Sequence, residues 1–249
     1  MNPSAKDLLC ENPRQFLKTS WTLSARTSDE EESARDALKT LHTGYATPLM
    51  RFYQQVGSGH NHSADSEVVR AFFDWLIDSE YVARAEEGRG LLRPFLLAAF
   101  KQFLSRQHHY QSSSKRISVN AFASIRSFAC DTHMDVEPSP RTLSEMTYDY
   151  HWAVALVDRA VHRLGEEWAT EGRSEHFQAL RRYLAGNREL RGGEIAKRLG
   201  MTEGALRVAI LCLRRRYAEL LRQEVRFTTR SDADAKSELR YLLETLRGH

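Results

Sequence analysis

Apolar residues recur along this chain at the spacing of helix faces, and no stretch alternates apolar and polar residues as a half-buried strand would. Ala34, Leu38, Leu41 and Tyr45 open a first helical stripe from Ser33. Pro48 is expected to break or kink it, because proline removes a backbone donor and clashes with the preceding turn. Leu49, Phe52, Tyr53 and Val56 continue the apolar face, and residues 57–63 read as a loop. A second helix is predicted over 65–79, with Asp65 as its cap and Val68, Val69, Phe72, Phe73, Leu76 and Ile77 as a broad apolar face. A third is predicted over 93–106, with Pro94 in its first turn and Phe95, Leu96, Ala99, Phe103 and Leu104 facing a core.

Residues 107–145 change character. They are polar and basic at first, carry one apolar patch (Ile117, Val119, Phe122, Ile125, Phe128), and end in the proline-rich run EPSPRT, so they read as a linker. Helical spacing resumes near Met146 with Trp152, Ala155, Leu156, Ala160, Val161 and Leu164. Phe177, Leu180, Tyr183 and Leu184 mark a further helix ended by Gly186. A last amphipathic helix over 235–246 carries Leu239, Leu242, Leu243 and Leu246, leucines that need burial against the chain or a partner.

Between these lies the stretch around which the chain is organised, residues 193–225. Ile195, Ala196 and Leu199 lie on one face of a short helix, Gly200 permits a tight stop, and Thr202 can cap a second helix with Glu203 in its first turn. Leu206, Ile210, Leu213 and Tyr217 form the buried stripe of that second helix, and Arg207, Arg214, Arg215 and Arg222 lie opposite. A helix braced by a shorter one and presenting cations outward suits the DNA major groove. The same pattern also fits any amphipathic helical hairpin.

Composition narrows the reading. The chain has 249 residues, 41% hydrophobic and 28% charged, as in an ordinary soluble protein. Net charge is +3, but residues 181–230 hold 13 basic against 5 acidic residues, whereas residues 1–110 hold 13 against 14. The basic excess therefore coincides with the helix-turn-helix pattern. Cys10, Cys130 and Cys212 are odd in number and far apart, which suits a reducing, cytoplasmic setting. No run is long and apolar enough for a membrane span or a signal core, so no membrane association is expected.

The expected fold class is all-α: two small helical domains joined by a flexible linker, with a C-terminal helix-turn-helix. The segments are an N-terminal extension at 1–32, a first domain at 33–107, the linker at 108–145, a second domain at 146–226 and a tail helix at 227–249. In this order the pieces FFDWLIDSEYVARAEEGRGLLRPFLLAAFKQFL, the EP of the linker, WAVALVDRAVHRL and GEIAKRLGMTEGALRVAILCLRRRYAELLRQEV resemble an extracytoplasmic-function (ECF) RNA polymerase sigma factor, and more closely the ECF-like group of planctomycete-type bacteria. The resemblance runs over nearly the whole chain, about residues 16–246.

That resemblance implies a transcription-initiation factor whose partners are core RNA polymerase and promoter DNA, with an anti-sigma factor as a further candidate. The first domain would bind polymerase and open the downstream (−10) element, and the second would read the upstream (−35) element. The implied polymerase-binding surface is Asp65, Glu67, Arg70, Ala71 and Asp74. The implied promoter-opening surface is Lys101, Gln102, Arg106, His108, His109, Lys115 and Arg116, a mix of cations and rings suited to splayed single-stranded bases. The implied recognition-helix residues are Thr202, Glu203, Gly204, Arg207, Val208, Leu211, Arg214 and Arg215, with Arg214, Arg215 and Arg216 mostly on phosphates.

The chain departs from the family on these surfaces. Arg70 and Ala71 stand where an amide and an acid are usual, Leu211-Cys212 where His-Arg is common, and Gln102 where His or Asn is common. A polymerase-facing patch made less acidic should dock more weakly on a basic surface. Two other functions stay open: a stand-alone helix-turn-helix DNA-binding regulator, and a sigma-like interaction protein without polymerase binding. His60, His62 and Asp65 lack further ligands at a recognisable spacing, so no metal is expected. No phosphate loop, nucleophile elbow or paired-carboxylate pattern appears, so neither an enzyme nor a cofactor is expected.

Overall fold

The computed structural model describes residues 28–56, 62–78, 91–111, 141–184, 192–229 and 231–248. Every regular element among them is a helix: α1 (Ser28–Val56), α2 (His62–Asp78), α3 (Leu92–Gln111), α4 (Leu143–Thr170), α5 (Ser174–Leu180) with a 3-10 turn (Arg181–Tyr183), α6 (Gly192–Arg198), α7 (Glu203–Phe227) and α8 (Asp232–Arg247). None of the described helices is long and apolar enough to cross a membrane. The expected linker lies mostly outside the described residues, as do Lys115, Arg116, Cys10, Cys130 and His60.

The helices form two compact units. One comprises the chain up to Ala155 together with Phe227–His249; the other is Leu156–Arg226. The first turns of α4, assigned to the second domain, belong with the first unit, and so does the tail. The cause is aromatic packing: Trp152, fully buried, stacks on Tyr45 of α1 at 4.1 Å and lies 5.8 Å from Tyr148.

In the first unit α1 packs on α2, and α2 on α3. Phe72 is the hub, with ring centroids 5.0 Å from Phe100 and 5.7 Å from Phe103, and Phe52 approaches Phe100 and Tyr148 edge-on. α1 runs through Pro48 as one helix. An interior proline costs ~3 kcal/mol or more, but Tyr45, Leu49 and Phe52 are buried on either side of it. At ~1.5–3 kcal/mol for each large side chain buried, they outweigh that cost. α4 begins at Leu143 rather than near Met146 because Thr142 and Glu145 form a reciprocal capping box. The Thr142 hydroxyl accepts from the Glu145 amide at 3.3 Å, and the Glu145 carboxylate accepts from the Thr142 amide at 2.9 Å.

The tail packs into this first unit. The Leu92 amide donates to the Thr228 carbonyl at 2.9 Å, beside an isolated antiparallel bridge between Leu91 and Thr229. Ser231 caps α8, its hydroxyl accepting from the Asp234 amide at 3.1 Å, and Asp232 and Asp234 complement the helix dipole. Leu242 and Ala235 are buried, Leu239 and Leu246 half-buried, and Leu243 exposed. The firmest attachment is polar. Arg93, in the first turn of α3, donates from Nε and Nη2 to Glu238 of α8 at 2.6 and 3.1 Å and from Nη1 to Asp149 of α4. Asp149 also accepts from Arg141 at 2.5 Å and from the Tyr241 hydroxyl. Buried Arg93 thus lies between two buried carboxylates, and half-exposed Arg141 supplies the second cation from the solvent edge, so the buried charge is compensated.

The second unit buries Leu164, Phe177, Leu180, Leu206, Leu213 and Leu220. Buried Glu224 of α7 accepts from Arg159 at 2.9 Å and from Arg163 at 2.8 Å, and Glu167 accepts twice from Arg216 at 2.8 and 2.6 Å. These pairs lock the second half of α4 against α7.

Candidate nucleic-acid interface

The candidate interface is built on α6, α7 and the four residues between them. α6 buries Ile195 and Ala196, while Lys197 and Arg198 stay exposed. Gly200 takes φ +64. Its amide bonds the Lys197 carbonyl at 3.2 Å, and the Met201 amide bonds the Ala196 carbonyl at 2.9 Å. These two bonds close the helix end in the Schellman pattern, for which glycine is the low-cost residue. Thr202 then caps α7, its hydroxyl accepting from the Ala205 amide at 3.2 Å. The geometry at Gly200 and Thr202 is the one their residue types predict.

α7 has two faces. Leu206, Leu213, Leu220 and Leu221 point into the unit. Gly204, Arg207, Val208, Leu211, Cys212, Arg215 and Arg222 are exposed, along with Thr202 and Glu203 at the helix start. Val208 and Leu211 are 60% and 67% exposed, and the Arg207 and Arg215 side chains 80% and 83%. Arg207 lies 3.9 Å from Glu203 and Arg215 3.4 Å from Glu219, exposed helix pairs worth only ~0.3–0.5 kcal/mol, so both cations remain free to turn toward an anionic partner.

Two of the expected phosphate-binding arginines serve the fold. Arg214 donates from Nε and Nη2 to the Tyr183 carbonyl at 3.1 and 2.9 Å, fastening α7 to the 3-10 turn. Arg216 is held by Glu167 and Glu219. Hydrogen bonding to Glu167, then to Glu219, outweighs desolvation and raises the Arg216 pKa further. The unit nonetheless keeps an excess of cations: Leu156–Arg226 holds 15 basic and 10 acidic residues, whereas the rest of the chain holds 21 and 23. Exposed Lys197 and Arg198 belong to that excess and were missed as site candidates. Their position in the last turn before Gly200 was the available signal.

In the first unit the expected surfaces come together only in part. Glu67, Arg70 and Asp74 share an exposed face of α2, with Ala71 half-buried beside them. Asp65 departs from that surface and from the expected cap. It sits inside the first turn of α2, buried, accepting from Gln54 at 3.0 Å. Lys101 departs from the promoter-opening surface: its ammonium donates to Glu145 and lies over the Phe52 ring, and its side chain is only 14% exposed. Burial opposes ionisation of Glu145, but hydrogen bonds from Lys101 and Thr142 outweigh it and hold its pKa below the ordinary value. Gln102 is half-buried, and Arg106 is exposed with its guanidinium 5.6 Å from the Trp75 ring. His108 and His109 fall in the last turns of α3, with side chains outside the described residues. Among the described residues no group of three or more His, Cys, Asp or Glu side chains could hold a metal ion.

Comparison of the chain with protein-family models, with curated proteins and with solved structures returned no match.

Proposed function

We propose that the chain is a sigma-type specificity subunit that directs core RNA polymerase to promoters. In this reading α6 and α7 form a helix-turn-helix in a C-terminal domain that reads the upstream promoter element. The helical domain before the linker binds polymerase and opens the downstream element. The observation that carries the proposal is the outer face of α7. Arg207, Arg215 and Arg222 project from a helix whose start is fixed by Gly200 and Thr202 and whose back is pinned by Leu206, Leu213 and Arg214. Such a rigid, cationic, solvent-facing helix meets the requirement for groove binding. The order of segments along the chain supplies the polymerase half of the proposal. The protein acts in the cytoplasm, as a binding protein and not an enzyme.

A second reading has its own observation. Asp65 is buried, and Arg70 is an exposed cation on the face proposed for polymerase. Both favour a stand-alone DNA-binding regulator that uses only the C-terminal helices. Affinity co-purification of the tagged full-length chain with core RNA polymerase separates the two. Stoichiometric, salt-resistant recovery of core subunits is expected for a sigma factor. Duplex binding without polymerase recovery would select the regulator.

A further inference from the structure

The outer face of α7 is not purely cationic. Val208 and Leu211, three residues apart, lie side by side on it and are 60% and 67% exposed. Among the described residues the large exposed hydrophobics are few, and these two are flanked by Arg207 and Arg215. An apolar pair in a cationic frame is a poor surface for water and for a purely apolar partner, because docking an apolar face there would bury unpaired guanidinium groups. It fits a partner that is anionic at its edges and apolar at its centre. The DNA major groove has that character: phosphates line its rims, and each thymine presents a 5-methyl group on its floor.

We propose that Val208 and Leu211 read thymine 5-methyl groups, so that the recognised element carries thymines at adjacent base pairs. This rests on the reading of α7 as a DNA-recognition helix. Residues three apart on a helix are about 5–6 Å apart, against about 3.4 Å per base step, so the pair covers one to two steps. Val208 and Leu211 specify sequence, whereas Arg207, Arg215 and Arg222 hold phosphates and position the helix. Leu211 offers no hydrogen bond to a base edge, so specificity at its position comes from the methyl group and from exclusion of polar edges.

The test uses the full-length chain, alone and with core polymerase, and a pool of duplexes with a randomised core made with deoxythymidine. Bound duplexes are sequenced. The best are then rebuilt with deoxyuridine in place of single thymidines, which removes only the methyl group. The expected result is enrichment of neighbouring thymines and a loss of about fourfold per critical methyl, the worth of burying one such group. Leu211→Asn should abolish the thymidine-over-deoxyuridine preference at one position while leaving thermal unfolding unchanged, since the side chain is exposed. Arg222→Gln should weaken thymidine and deoxyuridine duplexes equally and lower the salt slope by about one. Sequence-selective binding that is indifferent to deoxyuridine would overturn the methyl-reading role and leave the DNA-binding reading standing. No duplex binding, alone or with polymerase, would overturn both.

Discussion

Removing Glu238 should release the tail helix. Its carboxylate is one of two that neutralise the guanidinium of Arg93, and the side chains of Arg93, Glu238 and Asp149 are only 8%, 3% and 3% exposed. Truncating one partner of a buried ion pair leaves a charge without compensation, a loss of ~3–5 kcal/mol. Arg93 would still hold Asp149, so Glu238→Ala should fall near the lower end, about 3 kcal/mol. At 1.36 kcal/mol per decade, that is roughly a hundredfold rise in the opening of α8. Amide hydrogen exchange resolved by peptide reads this directly. α8 amides should exchange about a hundredfold faster in Glu238→Ala, while those of α7 within Leu156–Arg226 keep their rates. The triple variant Arg93→Met, Asp149→Asn, Glu238→Leu, which removes all three buried charges together, should recover most of the protection, because uncharged residues of similar volume often replace a buried ionic group at little cost. A change under about threefold, the range of an exposed pair, or a triple variant worse than Glu238→Ala, would refute the reasoning.

Two further perturbations bear on the candidate site and on the first unit. Gly200→Ala should destabilise the Leu156–Arg226 unit by ~1–2 kcal/mol through its left-handed backbone alone, since nothing lies within 4 Å of an added Cβ. Urea unfolding checks it, and DNA affinity should fall with the loss of the fixed α6–α7 turn. Lys101→Met should remove a pH-dependent part of stability. Glu145 has a folded pKa lowered from its ordinary 4.5. Its contribution is therefore complete above about that pH and is lost as pH falls through the lowered folded value. The stability gap between the native chain and Lys101→Met should be widest near neutrality and close under acid, and a gap that widens on acidification would contradict the pairing.

Much of the fold was legible because helix periodicity and helix-end chemistry are local. Gly200, Thr202, Pro94 and the tail leucines each announce a structure that depends on a few neighbours. What stayed illegible depends on residues distant in sequence. Arg93, Asp149 and Glu238 meet across separations of 56 and 145 residues, and nothing in their own segments marks them as partners. The apolar stripe of α4 is unbroken from Tyr148 to Trp168. The point where it leaves one core for the next therefore has no signature, and the expected boundary fell at the linker instead. On the candidate site, sequence alone lists arginines without saying which are spoken for. Arg214 and Arg216 are taken up by Tyr183 and Glu167, and Lys101 by Glu145. Arg207, Arg215 and Arg222 remain on the outer face, together with the apolar pair between them.

The most direct test of the proposed function is reconstituted transcription. Core RNA polymerase with and without the full-length chain is given a template pool of upstream regions from the genome that encodes it, and transcript 5′ ends are mapped. A sigma factor yields defined start sites that appear only when the chain is present, share an upstream element with neighbouring thymines, and disappear with the double variant Arg207→Glu, Arg215→Glu. Transcripts that are identical with and without the chain, under conditions where a known sigma factor initiates from its own promoter, would contradict the function proposed here.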